Sequence, residues 1–127
     1  MPNQDLNRNI GRIDRAQFRT AHNDSVYTQT LFAQLQVPDI FAHALAYPPC
    51  WAVIDPGMTV EAHHHPIPEF YVFVNGAGTM RLGDQRFSVE SGMAVNIPPN
   101  IEHEVINDAS AVEPLIWVSI GLKETRD

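Results

Sequence analysis

Little in this chain would hold it together covalently or carry it into a membrane. Its 127 residues include a single cysteine, Cys50. That excludes an intrachain disulfide framework and a cysteine-rich zinc site. No apolar run reaches about 18 residues, so no membrane-spanning helix is expected. The first residues, Met1-Pro2-Asn3-Gln4-Asp5, carry no apolar segment, so no secretory signal is expected and a cytoplasmic location follows. Positive charge is scarce: 8 Lys and Arg face 15 Asp and Glu, a formal net charge of −7. Nucleic-acid binders present a basic surface, so that class is set aside. With 44% hydrophobic and 18% charged residues, disorder of the whole chain is excluded. The length suits one domain.

Room for long helices is also lacking. From Pro38 onward, Pro48-Pro49, Pro56-Gly57, Pro66, Pro68, Pro98-Pro99 and Pro114 interrupt the chain. The runs between them are short and rich in Val, Ile and aromatics. They predict strands near residues 41–46, 51–54, 59–64, 69–74, 78–82, 86–89, 94–97, 102–106 and 115–120, the pattern of an all-β sandwich or barrel. Leu82-Gly83-Asp84-Gln85 reads as a tight hairpin, with glycine at the strained corner. Residues 1–25 read as a short N-terminal arm and 26–127 as the β-domain. Arg8, Arg12, Arg15 and Arg19 are spaced by four, three and four, which places them on one face of a helix in that arm. The preferred reading of that face is a solvated surface or an arm lying on the barrel.

Histidine is the compositional oddity: there are six, three of them consecutive. Side chains alternate across a strand, so His63 and His65 share one face and His64 takes the other. Pro66 and Pro68 then bend the chain, and a hairpin can bring Glu69 back beside the two imidazoles. Two neutral imidazoles and a carboxylate suit a divalent transition metal. His103 stands at the start of a later strand, after a turn in which Asn100 tolerates the left-handed backbone. Spacing alone does not bring His103 to His63.

The segment Gly57, His63, His65, Glu69, Gly76 resembles the first signature motif of the cupin superfamily at every fixed position. Gly92, Pro98, His103 and Asn107 resemble the second, with Asn100 where that motif has glycine. The resemblance implies a single cupin-type jelly-roll β-barrel. It also implies one divalent metal (Fe, Mn, Ni or Zn) per chain, held by His63, His65, Glu69 and His103, and a homodimer. It places the chain among metal-dependent enzymes acting on a small organic substrate, with dioxygenase chemistry first and isomerase or lyase chemistry second. The alternative is a non-catalytic small-molecule or sugar-binding module. No helix-turn-helix segment accompanies the barrel, which lowers a regulator reading.

Further candidates come from the residues themselves. Glu61 shares the face of His63 and His65 if the strand is regular, where it would serve as a base or orient a ligand; a bulge would turn it outward. His43 sits on the large-residue face of Phe41, His43, Leu45 and Tyr47, where it could reach the pocket. Arg81, if inward, would clamp a substrate carboxylate. Tyr71 and Phe73 share the Glu69 face, and with Trp117 they are the candidate walls that would hold the substrate. Cys50 reads as a small packed residue.

Overall fold

The computed structural model describes residues 10–32 and 43–123. Among the described residues, ten strands follow a 3-10 turn at Arg15–Gln17: β1 (Arg19–Ala21), β2 (Val26–Thr30), β3 (Cys50–Ile54), β4 (Thr59–His63) and β5 (Glu69–Asn75) come first. They are followed by β6 (Ala77–Leu82), β7 (Gln85–Glu90), β8 (Ala94–Ile97), β9 (His103–Ile106) and β10 (Leu115–Gly121). All pairings are antiparallel and form two sheets, a six-stranded β1-β2-β3-β10-β5-β8 and a four-stranded β4-β9-β6-β7. This is an all-β fold, as the sequence pattern predicts, and it is jelly-roll-like, as the resemblance implies. No helix among the described residues is long and apolar enough to cross a membrane.

The two sheets bury one shared core, and period-two alternation decides which residues enter it. On β10, Leu115, Trp117, Ser119 and Gly121 point inward; on β5, Glu69, Tyr71 and Phe73 do. Val60, Met80, Val89 and Val105 answer from the smaller sheet. Trp117 and Phe73 are among the largest fully buried side chains, each contributing about 1.5–3 kcal/mol through burial. The outward residues Phe70 and Val72 of β5 are half-buried, and Val74 is exposed.

The β6–β7 hairpin pairs Leu82 with Gln85 across a two-residue loop. Gly83 there has φ 59°, the positive first central dihedral of a type II′ turn, which glycine adopts freely. Asn100 has φ 63°, the left-handed conformation read from the sequence.

The N-terminal region departs from expectation. Arg15 lies in the 3-10 turn, and Arg19 opens a strand, so Arg12, Arg15 and Arg19 do not share a helix; Arg8 lies outside the described residues. β1 pairs with β2 at Arg19↔Thr28, Thr20↔Tyr27 and Ala21↔Val26, so a boundary at residue 25 falls inside a hairpin of the large sheet. The strand predicted over 41–46 is also corrected within its described part. His43 and Ala44 are helical, and Leu45 makes one isolated bridge to Leu122.

Candidate metal centre

β4, β5 and β9 place the imidazoles and the carboxylate by register. β4 pairs with β9 at Thr59↔Ile106 and Val60↔Val105, then at His63↔His103. Three residues advance on β4 while two advance on β9, so one extra residue is accommodated as a bulge. The bulge lets Val60 and His63 both face inward and turns Glu61 out. His65 follows the strand, its carbonyl accepting from Asn100 N–H at 2.7 Å. Glu69 opens β5 with its side chain inward, opposite Gly121 of β10.

One ligand atom from each of His63, His65, Glu69 and His103 lies within 4.8 Å of the others. His103 and Glu69 are buried, and His63 and His65 are half-buried. Each imidazole is oriented in the same manner. His63 Nδ1 is 2.7 Å from Glu61 O, His65 Nδ1 is 2.8 Å from Ile67 O and His103 Nδ1 is 2.8 Å from Ile101 O. A carbonyl only accepts, so each Nδ1 carries the hydrogen and each Nε2 of a neutral ring presents a lone pair. His63 Nε2 and His103 Nε2 are buried with no hydrogen-bond partner. His65 Nε2 and His103 Nε2 stand 3.0 and 3.3 Å from the same Glu69 Oε1. Lone pairs converging on a carboxylate call for positive charge at their centre. A divalent transition ion supplies it, and the donor set suits Fe, Mn, Ni or Zn alike.

Electrostatics agree with such a role. Burial lowers the His63 pKa to about 4, assisted by the charges of His22, His103 and His65 and opposed by the bond to Glu61 O. His63 is therefore neutral and available near neutral pH. Burial works to raise Glu69; in the metal-free site a His103 imidazole carrying a second hydrogen on Nε2, the Tyr47 hydroxyl and a protonated His65 outweigh it and hold the carboxyl near 2.

A hydroxyl chain supports the carboxylate. Tyr47 Oη donates to Glu69 Oε2 at 2.9 Å and lies 2.6 Å from Ser119 Oγ. With the tyrosine hydrogen committed to Glu69, Ser119 donates to Tyr47. Tyr71 Oη donates to Glu69 Oε1 at 3.2 Å. Tyr47 fits only because β10 ends in glycine, since a Cβ at Gly121 would run into its ring.

A cavity of about 390 Å³ opens beside this group, sharing His65 and Glu69 with it. Val26, Ala52, Val60, Ile67, Tyr71 and Trp117 give it a largely apolar wall. No lysine or arginine is among the described residues that line it.

The other candidates fall as follows. Tyr71 and Trp117 line the cavity, whereas Phe73 lies behind them in the core. Glu61 is exposed, turned out by the bulge, and accepts from Asn23 Nδ2 at 2.6 Å; its backbone carbonyl, not its carboxylate, orients His63. Arg81 is corrected to the outer face of β6, since its neighbour Met80 takes the core. There it bonds Glu102 at 2.6 Å, Glu104 at 3.1 Å and Gly83 O at 2.8 Å. His43 is exposed and does not line the cavity. His64 is exposed, as alternation predicts. Cys50 lines the cavity, its thiol pushed up to about 11 by burial and by Glu69.

Sequence reasoning missed the functional placement of Tyr47, Ser119 and His22. His22 is stacked on His63, with ring centroids 3.7 Å apart and planes at 23°. Burial lowers its pKa, as do His103 and His65, against the pull of Glu69 and Glu61. The usable signal was the triplet His22-Asn23-Asp24, three residue types that tolerate positive φ.

Two facing antiparallel sheets with a three-histidine, one-glutamate group at the mouth of their shared cavity define a small jelly-roll protein with a site that could hold a metal ion. A family model for the cupin domain matches residues 50–121, and the chain belongs to that family. Its fold is similar to a cupin 2 conserved barrel domain protein from Salinispora arenicola, with 23% identity over 88% of this chain and 86% of that one and a TM-score of 0.69. It is similar to the polyketide cyclase RemF from Streptomyces resistomycificus, at 17% identity over 89% and 79% of the two chains with a TM-score of 0.66. A predicted oxalate decarboxylase from Thermotoga maritima matches at 17% identity over 78% and 81%, with a TM-score of 0.64. No curated protein matches in sequence.

Proposed function

We propose that this chain is a metal-dependent enzyme whose substrate is a small, largely apolar organic molecule bound at a divalent transition metal. The observation that carries the reading is the convergence of three imidazole nitrogens and one carboxylate within 4.8 Å, beside an apolar cavity. His63, His65, Glu69 and His103 would hold the metal. Bound there, the metal would supply Lewis-acid polarisation of a coordinated oxygen or, if redox-active, electrons for dioxygen chemistry.

The chain's own residues do the rest. Backbone carbonyls fix the three rings with Nε2 toward the centre. Tyr47 and Tyr71 hold both carboxylate oxygens of Glu69, so its ionised form persists in the buried site. Val26, Ala52, Val60 and Trp117 exclude water from the substrate body. The absence of lysine and arginine among the described lining residues favours substrates whose polar atoms are met by the metal rather than by a cationic clamp. The dioxygenase class is our first reading and the isomerase or lyase class our second.

Elemental analysis of untagged protein, as purified and after reconstitution, tests the metal. Near-stoichiometric divalent metal that His103→Ala abolishes is the expected result. No metal in either state would sink the reading. Turnover or dioxygen uptake dependent on His103 then separates an enzyme from a binding module, which would hold ligand without converting it.

A further inference from the structure

The turn between β1 and β2 brings a second imidazole, beside that of His65, to the cavity lining from outside both cupin motifs. Its residues His22, Asn23 and Asp24 all have positive φ, at 52°, 58° and 61°. Three successive non-glycine residues in the left-handed region carry a backbone cost that surrounding structure must offset. The contacts that retain the turn run to β4, the strand that carries His63. Asn23 Nδ2 donates to Glu61 Oε2 at 2.6 Å, and Glu61 N–H donates to Ser25 Oγ at 2.9 Å. Ser25 Oγ itself donates to His22 O at 2.6 Å.

The product of that arrangement is the position of His22. One face of its ring stacks on His63, and the residue lines the same cavity as His65 and Glu69. It is not one of the four residues whose ligand atoms converge. The residue is exposed at the cavity opening and its ring makes no hydrogen bond to any described residue, so its donor and acceptor are open to solvent or to a molecule entering the cavity.

We infer that His22 is a substrate-contacting residue, bonding a second oxygen of the small molecule whose first oxygen meets the metal. This rests on the metal reading above and deepens it. The substrate class becomes a largely apolar compound with two neighbouring oxygens, such as a hydroxy ketone, a diol or a catechol. The metal takes one oxygen and His22 the other, while the carbon skeleton lies against Val26, Ala52 and Trp117.

The test uses the full-length protein loaded with cobalt(II), whose visible spectrum reports both the metal and its ligands. The probes are 4-nitrocatechol, with two neighbouring oxygens, and 4-nitrophenol, with one. His22→Asn keeps a residue suited to the left-handed turn, and His22→Phe keeps a ring to stack on His63. Both variants are expected to bind cobalt as the wild type does. Both should lose about ten-fold in affinity for 4-nitrocatechol, the size of one hydrogen bond, with little change for 4-nitrophenol. Equal losses for the two probes, or none for either, would overturn the inference. Loss of cobalt from both variants to the extent seen in His63→Ala would overturn it too, making His22 a ligand. Wild-type protein that holds cobalt but does not prefer 4-nitrocatechol would overturn the substrate class alone. Wild-type protein that takes up no cobalt would overturn the metal reading and this one with it.

Discussion

Replacing Tyr47 by Phe removes one oxygen and leaves the ring over Gly121 in place. That oxygen donates to Glu69 Oε2 at 2.9 Å and accepts from Ser119 at 2.6 Å. Glu69 is 6% exposed, so water cannot readily replace the donor. A hydrogen bond to a buried charge contributes about 1.5–3 kcal/mol, and the stranded Ser119 hydroxyl pushes the cost toward the upper end. A loss of 2 kcal/mol lowers Tm by about 6–10 °C for a chain of this length. The assay is urea unfolding of EDTA-treated protein near neutral pH, run as a double-mutant cycle with Glu69→Gln. Removing the charge reduces the Tyr47 bond to a neutral one of about 1 kcal/mol, so the cycle should show a coupling of about 1–2 kcal/mol. Coupling below about 0.5 kcal/mol would refute the claim that Tyr47 acts through the Glu69 charge. In metal-loaded protein the same substitution should weaken metal affinity by about ten-fold or more, because it frees an oriented ligand.

Gly121→Ala should reproduce much of this effect by displacing the Tyr47 ring, and it should cost little more in a Tyr47→Ala background; additive costs in a double-mutant cycle would contradict the clash. His63→Ala and Glu69→Ala should abolish metal uptake in elemental analysis while His64→Ala leaves it intact; equal loss from all three would contradict the strand phase. Stability of EDTA-treated protein should depend on pH with a definite sign. The His63 pKa falls from 6.5 to about 4 on folding, so the unfolded chain binds its proton first. The stability His63 contributes is complete above pH 6.5 and is lost as pH falls toward 4. Glu69, lowered from 4.5 to about 2, extends the loss below 4.5. A Tm that stays level from pH 6.5 to 4 would contradict the burial of His63.

Strands from Cys50 onward were legible because their alternation is strong and Pro and Gly bound them. Gly83 and Asn100 could be read from the backbone conformations they permit. The four convergent residues could be named from two motifs, yet only the His63↔His103 register brings them together. β1 and β2 were missed because Arg-Thr-Ala and Val-Tyr-Thr-Gln-Thr alternate weakly and gain their burial from the large sheet. The face taken by Glu61 stays open in the sequence because one inserted residue inverts a strand face, and no propensity marks where a bulge falls. Arg81 was resolvable in principle, since Met80 beside it had a stronger claim on the interior. Tyr47 and Ser119 lie 72 residues apart, and only the tertiary fold joins them.

The three imidazoles are each aimed by a main-chain carbonyl two residues away, from Glu61, Ile67 and Ile101. A carbonyl of the main chain survives every substitution of the residue that owns it. Glu61, Ile67 and Ile101 can therefore drift in identity while the direction of each ring is preserved, provided the local backbone path holds. Cavity walls and outer surface are free to be rebuilt for another ligand without disturbing the aim of the histidines. In such a scaffold the chemistry at the centre and the recognition around it can evolve on separate schedules.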